Sequence, residues 1–256
     1  MTRYLLILLL TASCILPAEI PVPDSDPLSK QIVEEKKTER LPLPAGGVVR
    51  LKNSFGDLDI DAWDESSVEI TTVKTSHDYL FPSERDELKA QMERVTIKAE
   101  RQGNDVMITT YAPRQDTFSF RSGADFLKLN GMKFGIEYHI SVPRNARLVI
   151  DHGSGNVNVD GVQGDIEARA RRGQITLHLP EDAMYNIDAK STYGNINSDF
   201  PGQRHRKWIG QKAFEEGPGP AHSLKLRVGY GDIVLLRIRV PKSPDSNPGK
   251  PGGGGL

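Results

Sequence analysis

The chain has 256 residues, with 33 Lys plus Arg against 34 Asp plus Glu and a formal net charge of -1. That length suits one mid-sized domain. The balanced charge excludes both the overall basic field of a nucleic-acid binder and the acidic excess of a solvating tail. One cysteine excludes an intrachain disulfide framework and a Cys-rich zinc site.

The N-terminus reads as an address. Met1-Thr2-Arg3 gives a positive start, Tyr4 to Leu10 an apolar run, and Thr11-Ala12-Ser13-Cys14 a set of small residues. Together they make a secretory signal peptide over residues 1–18. The apolar run is too short to span a bilayer, which takes about 20 residues. Cys14 has two readings. It is a lipidation candidate, because small residues ahead of a Cys resemble a bacterial lipoprotein signal, although Thr11 stands where that pattern usually has Leu. Alternatively, cleavage near Ala18 discards it. The expected location is outside the cytoplasm: periplasmic, anchored at the outer membrane, or at the cell surface, with lipid on Cys14 as the sole membrane contact. Residues 19–30, with Pro21, Pro23 and Pro27, read as a linker.

A single folded domain is expected over 31–240. Its first strand signal is Phe55-Gly56-Asp57-Leu58-Asp59-Ile60. Ser83-Glu84-Arg85-Asp86 opens a predicted helix that runs to about Arg94, with Ser83 as N-cap, Asp86 reaching back, and Pro82 just ahead. Val95 to Glu100 and Asp105 to Tyr111 form a predicted hairpin closed by Gln102-Gly103-Asn104. Ile136, Tyr138, Ile140 and Val142 alternate in a strand that Pro143 ends.

The opening phrase then returns at Ser154-Gly155-Asn156-Val157, Gln163-Gly164-Asp165-Ile166, Arg172-Gly173-Gln174-Ile175, Tyr193-Gly194-Asn195-Ile196 and Tyr230-Gly231-Asp232-Ile233. Gly56, Gly155, Gly164, Gly173, Gly194 and Gly231 are thus predicted structural turns, where Gly supplies positive φ and the next polar residue bonds its own backbone. After each turn the polarity alternates with period two. From Gly164 to Leu179 the inward set is Ile166, Ala168, Ala170, Ile175, Leu177 and Leu179. Two-faced strands at regular spacing must cover one another, so the expected fold is all-β: a β-solenoid with one short helix, or alternatively a β-sandwich. Residues 241–256 hold four Pro and five Gly and are expected to be disordered.

These phrases, with the Asn53 to Trp63 opening, the Val142-Pro143 step and the closing Leu224 to Ile233, resemble the bacterial putative-adhesin family over roughly residues 40 to 238. The resemblance implies an exported β-solenoid domain of largely unknown function. It carries over no catalytic residue, because its motifs are turns.

Candidate sites are few. Asp57, Asp59, Asp61 and Asp64 cluster locally, but an extended strand sets alternate residues about 7 Å apart, too far for one calcium ion without help. His77, His139, His152, His178, His205 and His222 show no metal-ligand spacing. His152 and Ser154 lack the strand-to-helix setting of a nucleophile elbow. Glu167 and Asp188 are an outward pair of carboxylates of the kind glycan cleavage uses. Catalytic residues, metal ligands and cofactors are therefore assigned to none. Two surfaces remain. One is basic: Arg169, Arg171 and Arg172, with Arg204, His205, Arg206 and Lys207 further on. The other is the stretch 112–135, whose Phe118, Phe120, Phe126 and Phe134 either cap the fold or bind a partner. The functional expectation is a non-enzymatic, adhesin-like module that contacts an envelope polymer or an exported protein. The alternatives are a glycan-acting enzyme on the same scaffold and an envelope-stress regulatory partner.

Overall fold

The computed structural model describes residues 31–112, 133–206, 211–215 and 222–239. In chain order, β1 (Glu34–Pro42), β2 (Val48–Asn53), β3 (Asp57–Trp63) and β4 (Ser67–Ser76) precede the helix α1 (Pro82–Arg94). Then come β5 (Thr96–Gln102), β6 (Asp105–Tyr111), β7 (Phe134–Pro143), β8 (Arg147–Ser154), β9 (Val157–Asp160) and β10 (Ile166–Arg172). They are followed by β11 (Ile175–Pro180), β12 (Tyr185–Tyr193), β13 (Ile196–Ser198), β14 (Gln203–Arg206), β15 (Gln211–Glu215), β16 (His222–Tyr230) and β17 (Ile233–Ile238). The domain is mostly β with one short helix.

The strands form two mixed sheets. An eight-stranded sheet has the order β1-β4-β7-β3-β9-β11-β17-β13, and a nine-stranded sheet the order β14-β15-β12-β16-β10-β8-β2-β6-β5. Parallel pairs fill the middle of both, and antiparallel pairs (β1 with β4, β5 with β6, β14 with β15) lie at the rims. One core cluster draws residues from both sheets, including Leu51, Ile150, Ala168 and Leu226 of one and Ile60, Val159, Leu177 and Leu235 of the other. All six residues expected to face inward between Gly164 and Leu179 are buried. Each large aliphatic among them contributes about 1.5–3 kcal/mol of transfer free energy, before the cost of ordering the chain.

Glycine corners join the sheets. The chain crosses from the nine-stranded to the eight-stranded sheet at Gly56, Gly155, Gly173, Gly194 and Gly231, and these corners stack. Gly56 N donates to Ser154 O, Gly155 N to Arg172 O, Gly173 N to Tyr230 O, and Gly231 N to Tyr193 O. Side chains extend the ladder, bonding the neighbouring corner and not, as expected, their own backbone: Asp57 Oδ1 accepts from Asn156 N at 2.7 Å, Asn156 Oδ1 from Gln174 N at 3.2 Å, and Asp232 Oδ1 from Asn195 N at 2.7 Å. Gly173 shows why the residue is required. Its φ is +114°, and a Cβ there would lie 1.8 Å from Gly155 O. Gly164 is a different corner: it sits at the opposite end, against Ala146 O, which explains the nine-residue half-spacing to Gly155 and Gly173. Neither it nor Gly194 has the expected positive φ, and glycine is required at both because a Cβ would lie 2.1 Å from a backbone oxygen, of Ala146 and of Gly231.

The stacking order departs from expectation. In a simple solenoid, successive coils lie side by side in chain order. Here β16 and β17 are inserted between the β10–β11 and β12–β13 pairs, and β6 and β7 flank β2 and β3 on the side away from β8 and β9. The expected β-solenoid is therefore not shown; the strands build two mixed sheets. The phrase fixes each corner and each two-faced strand, but the neighbour that covers a strand is chosen by pairing over long sequence distance.

The helix starts earlier than its predicted cap. Phe81 is the N-cap and Pro82 the first helical residue, and Glu84 rather than Asp86 reaches back, its Oε2 accepting from Phe81 N at 2.9 Å. Leu88 and Met92 face the core, and the buried Lys74 Nζ donates to Met92 O at 2.8 Å, satisfying a carbonyl of the last turn. The hairpin forms as expected, with Gln102 opposite Asp105 and Gly103 at φ +65°. Phe134 opens β7 and is buried, so it belongs to the core and not to a loop surface. Phe118, Phe120 and Phe126 lie outside the described residues, as does Cys14. At the rims, β1 reads Glu-Glu-Lys-Lys-Thr-Glu-Arg over its exposed part and β13 is three residues long, both of which discourage edge-to-edge pairing.

Candidate functional site

Strand register sets a row of charges on the outer face of the nine-stranded sheet. Lys52 of β2 pairs with Asp151 of β8, Asp151 with Arg169 of β10, Arg169 with Arg227 of β16, and Arg227 with Lys190 of β12. All five stand four residues before a corner glycine, so the corner stacking brings them into line. By backbone register, Lys212 of β15 and His205 of β14 come next.

One step nearer the corners, Arg171 lies between two residues without side chains. The register pairs on either side of it place Gly153 on one flank and Gly229 on the other. A Cβ on Gly153 would meet Ser54 O at 2.1 Å, and one on Gly229 would meet Arg171 O at 2.5 Å. Close backbone approach therefore requires both glycines, and it leaves the exposed Arg171 in a trough. An open cleft of about 520 Å³ occupies this region, and its lining includes Lys52, Asp151, Arg169, Arg171, Lys190 and Arg227.

These cations are not equivalent. Arg169 Nη2 pairs with Glu167 Oε1 at 3.1 Å, and Arg227 is held by Asp188, through Oδ2 at 2.5 Å and the backbone carbonyl at 2.7 Å. Lys52, Arg171 and Lys190 are exposed and have no ion-pair partner among the described residues. Glu167 and Asp188 do share this face, but Lys225 stands between them and pairs with Glu167 at 3.5 Å. Both carboxylates are engaged by neighbouring cations and do not face each other across a gap.

Arg172 leaves the group. Its guanidinium lies 5.6 Å from the centroid of Tyr230, which stacks on Tyr193 at 4.6 Å and 9°. Both tyrosines are about half exposed at the corner end of the sheet. The backbone of Arg204, His205 and Arg206 forms β14 at the sheet edge, and Lys207 lies outside the described residues.

Beneath the cleft the sheet buries polar groups. His152 is 2 % exposed, and burial pushes its imidazole down to about 4. Neither of its ring nitrogens has a hydrogen-bond partner among the described residues, so Ser154 Oγ is not bonded to it as a nucleophile–base pair requires. Its neighbour Asn53 accepts from Tyr138 OH at 3.2 Å, Tyr138 meets Thr110 Oγ1 at 2.7 Å, and burial raises the phenol to about 12.

The acidic residues singled out in the sequence lie on the other sheet. Asp57 caps the corner ladder, Asp59 Oδ1 accepts from Asn158 Nδ2 at 2.8 Å, and Asp64 binds Arg144 at 2.5 Å, which lowers its carboxyl below the ordinary range. Asp61 lies beside Asp160; burial, then Asp160 and Asp59, raises its carboxyl. His139 and His178 stand 3.6 and 3.4 Å from Asp59 and Asp160. Among the described residues no group of three or more His, Cys, Asp or Glu could hold a metal ion.

Lys52, Lys190 and Arg227 were missed by reading the chain for local basic runs. The signal lay in aligning the phrases on their corner glycines: the fourth residue back is Lys, Asp, Arg, Lys and Arg.

The sequence profile of the Toastrack DUF4097 family matches residues 64–235. The chain belongs to that family. Among solved structures, this toastrack domain is similar to a putative cell adhesion protein from Clostridium sporogenes, with TM-score 0.47, 14% identity, and coverage of 80% of this chain and 100% of that one. It is also similar to a putative adhesin from Bacteroides fragilis (TM-score 0.29, 8% identity, 80% of this chain and 97% of that one). A third is a putative adhesin from Parabacteroides merdae (TM-score 0.27, 12% identity, 64% of this chain and 67% of that one). No curated protein sequence matches the chain.

Proposed function

We propose that this toastrack domain is an exported, non-enzymatic, adhesin-like module that presents the outer face of its nine-stranded sheet to an envelope polymer. One observation carries the reading: Lys52, Arg171 and Lys190 are exposed and unpaired among the described residues, on strands hydrogen-bonded to neighbours on both sides. Such cations are already in position, so a ligand does not have to order a loop to reach them. The signal-like residues 1–18 support export, and acylation of Cys14 would hold the module at a membrane. No cofactor enters this activity.

Affinity electrophoresis of the purified domain through gels that contain extracted envelope polymers tests the reading. Retardation by at least one polymer, weakening as salt rises, is the expected result. Uniform mobility in every gel overturns it, and release of reducing ends from a polymer overturns its non-enzymatic part. Labelling cells with a lipid precursor tests Cys14: incorporation that disappears in Cys14→Ser supports the anchor, and no incorporation removes it.

A further inference from the structure

We propose that the ligand of the basic face is a linear acidic polysaccharide that lies across the strands, perpendicular to them, along the row Lys52, Asp151, Arg169, Arg227 and Lys190, with one of its acid groups in the trough at Arg171. The proposal rests on the polymer-binding reading above and gives it a ligand class and a direction.

Direction follows from the register. Along any one of these strands the outward side chains give at most two cations in succession, as Arg50 and Lys52 on β2, Arg169 and Arg171 on β10 and Lys225 and Arg227 on β16, and on β10 and β12 a carboxylate (Glu167, Asp188) comes first. Across the strands the same row carries four cations in five positions. A polyanion laid along a strand would meet at most two cations, whereas one laid across the strands meets four in five positions, at the interstrand spacing of about 4.8 Å. An extended polyuronate, with one carboxylate on every sugar, places its charges at a comparable interval. Arg171 offers a planar fork suited to a carboxylate, and the bare flanks at Gly153 and Gly229 let the polymer settle onto it.

Asp151 decides between polyanions. It sits inside the row, between Lys52 and Arg169. A polymer that offers only anionic oxygens, such as polyphosphate, is repelled there. A sugar chain brings hydroxyl donors as well as carboxylates, and an exposed carboxylate accepts from them. Thr192 in the cleft lining adds a hydroxyl of its own, and the half-exposed Tyr193 and Tyr230 at the adjoining corner offer aromatic surface to sugar rings.

The test is calorimetric titration of the full domain with oligogalacturonates of increasing length, with polyphosphate and neutral dextran as comparisons. Affinity should rise with length and level off once the oligomer spans the five strands from β2 to β12. Arg171→Ala and Lys190→Ala should each weaken binding about tenfold or more, as expected for loss of a charge-assisted hydrogen bond. Lys89→Ala, an exposed cation on the helix, should leave binding unchanged, and unaltered melting of all three variants shows that the fold is intact. Asp151→Lys is the sharpest variant: it adds positive charge, yet should weaken oligogalacturonate binding several-fold and strengthen polyphosphate binding. Tighter polyphosphate than oligogalacturonate binding in the unmodified domain, stronger oligogalacturonate binding by Asp151→Lys, or indifference to Arg171→Ala and Lys190→Ala overturns the proposal. If extracted envelope polymer still binds when any of these results is obtained, the polymer-binding reading survives and only the row and its ligand class fail. If no polymer of any kind binds, both fail.

Discussion

The two outer faces of this molecule are built from the same corners and carry opposite chemistry. Counting back four residues from each glycine corner gives Lys52, Asp151, Arg169, Arg227 and Lys190 on the nine-stranded sheet. Counting forward five gives Asp61, Asp160 and His178 on the eight-stranded sheet. Two acids of the second face are matched locally, Asp59 with Asn158 and His139 and Asp160 with His178, while Asp61 between them has a raised carboxyl. On the first face, Lys52, Arg171 and Lys190 are left without partners among the described residues. One scaffold thus separates an acidic face from one whose free cations can gain by meeting an anion.

Both faces are lost together if the shared corners fail. Gly173→Ala places a Cβ 1.8 Å from Gly155 O at a φ of +114°. It should destabilise the domain by at least about 3 kcal/mol, read from the urea midpoint, because backbone must move on two adjacent strand pairs. A midpoint unchanged by the substitution would show that the corners do not hold the faces together.

Acid should act on the two faces with opposite signs. Under the basic face, the unfolded His152 imidazole takes up a proton near 6.5 and the folded one only near 4. Stability is therefore lost as pH falls from about 6.5 to about 4, by up to about 3 kcal/mol, and changes no further below that. His152→Leu should flatten this slope in urea titrations across the window; an identical slope in the variant would exclude His152 as its source. On the acidic face, Asp61 has a raised carboxyl, so the folded state holds its proton to higher pH than the unfolded chain does. Stability there declines as pH rises above the ordinary carboxylate value. Asp61→Asn should be slightly more stable than the parent at pH 7 and indistinguishable from it well below pH 3.8; greater stability of the parent at pH 7 would contradict the assignment. The smallest effect is at the corner aromatics. Tyr193→Ala removes a stacked, half-exposed ring and should cost about 1 kcal/mol, read from the urea midpoint, and should weaken oligogalacturonate binding less than Arg171→Ala or Lys190→Ala does, since the ring offers the sugar surface but no charge.

Much of this plan can be read from residue order alone. Alternation assigned Ile166, Ala168, Ala170, Ile175, Leu177 and Leu179 to the core, and the Gly-polar phrase located the five corners at Gly56, Gly155, Gly173, Gly194 and Gly231, because both signals act within a few residues; the returns from β7 to β8 and from β11 to β12 carry no such phrase. Arg169 and Arg171 were visible as a local basic run. Arg172 looked equivalent to them, but the corner turns it towards Tyr230. The order in which strands lie side by side was not legible: β16 is placed between β10 and β12 by pairing across dozens of residues, and no local phrase encodes that choice. The full cation row depends on that order, which is why Lys190 and Arg227 became neighbours only in three dimensions. At the helix, a favourable Ser83 lost the capping position because Pro82 fits the first helical turn and Glu84 is spaced to reach Phe81 N.

Amide chemical-shift mapping with an oligogalacturonate tests the difference between the faces most directly. Shifts should concentrate at Lys52, Asp151, Arg169, Arg171, Lys190 and Arg227 and be absent at Asp59, Asp61 and Asp160. Shifts centred on the eight-stranded sheet, or scattered evenly over both, would contradict it.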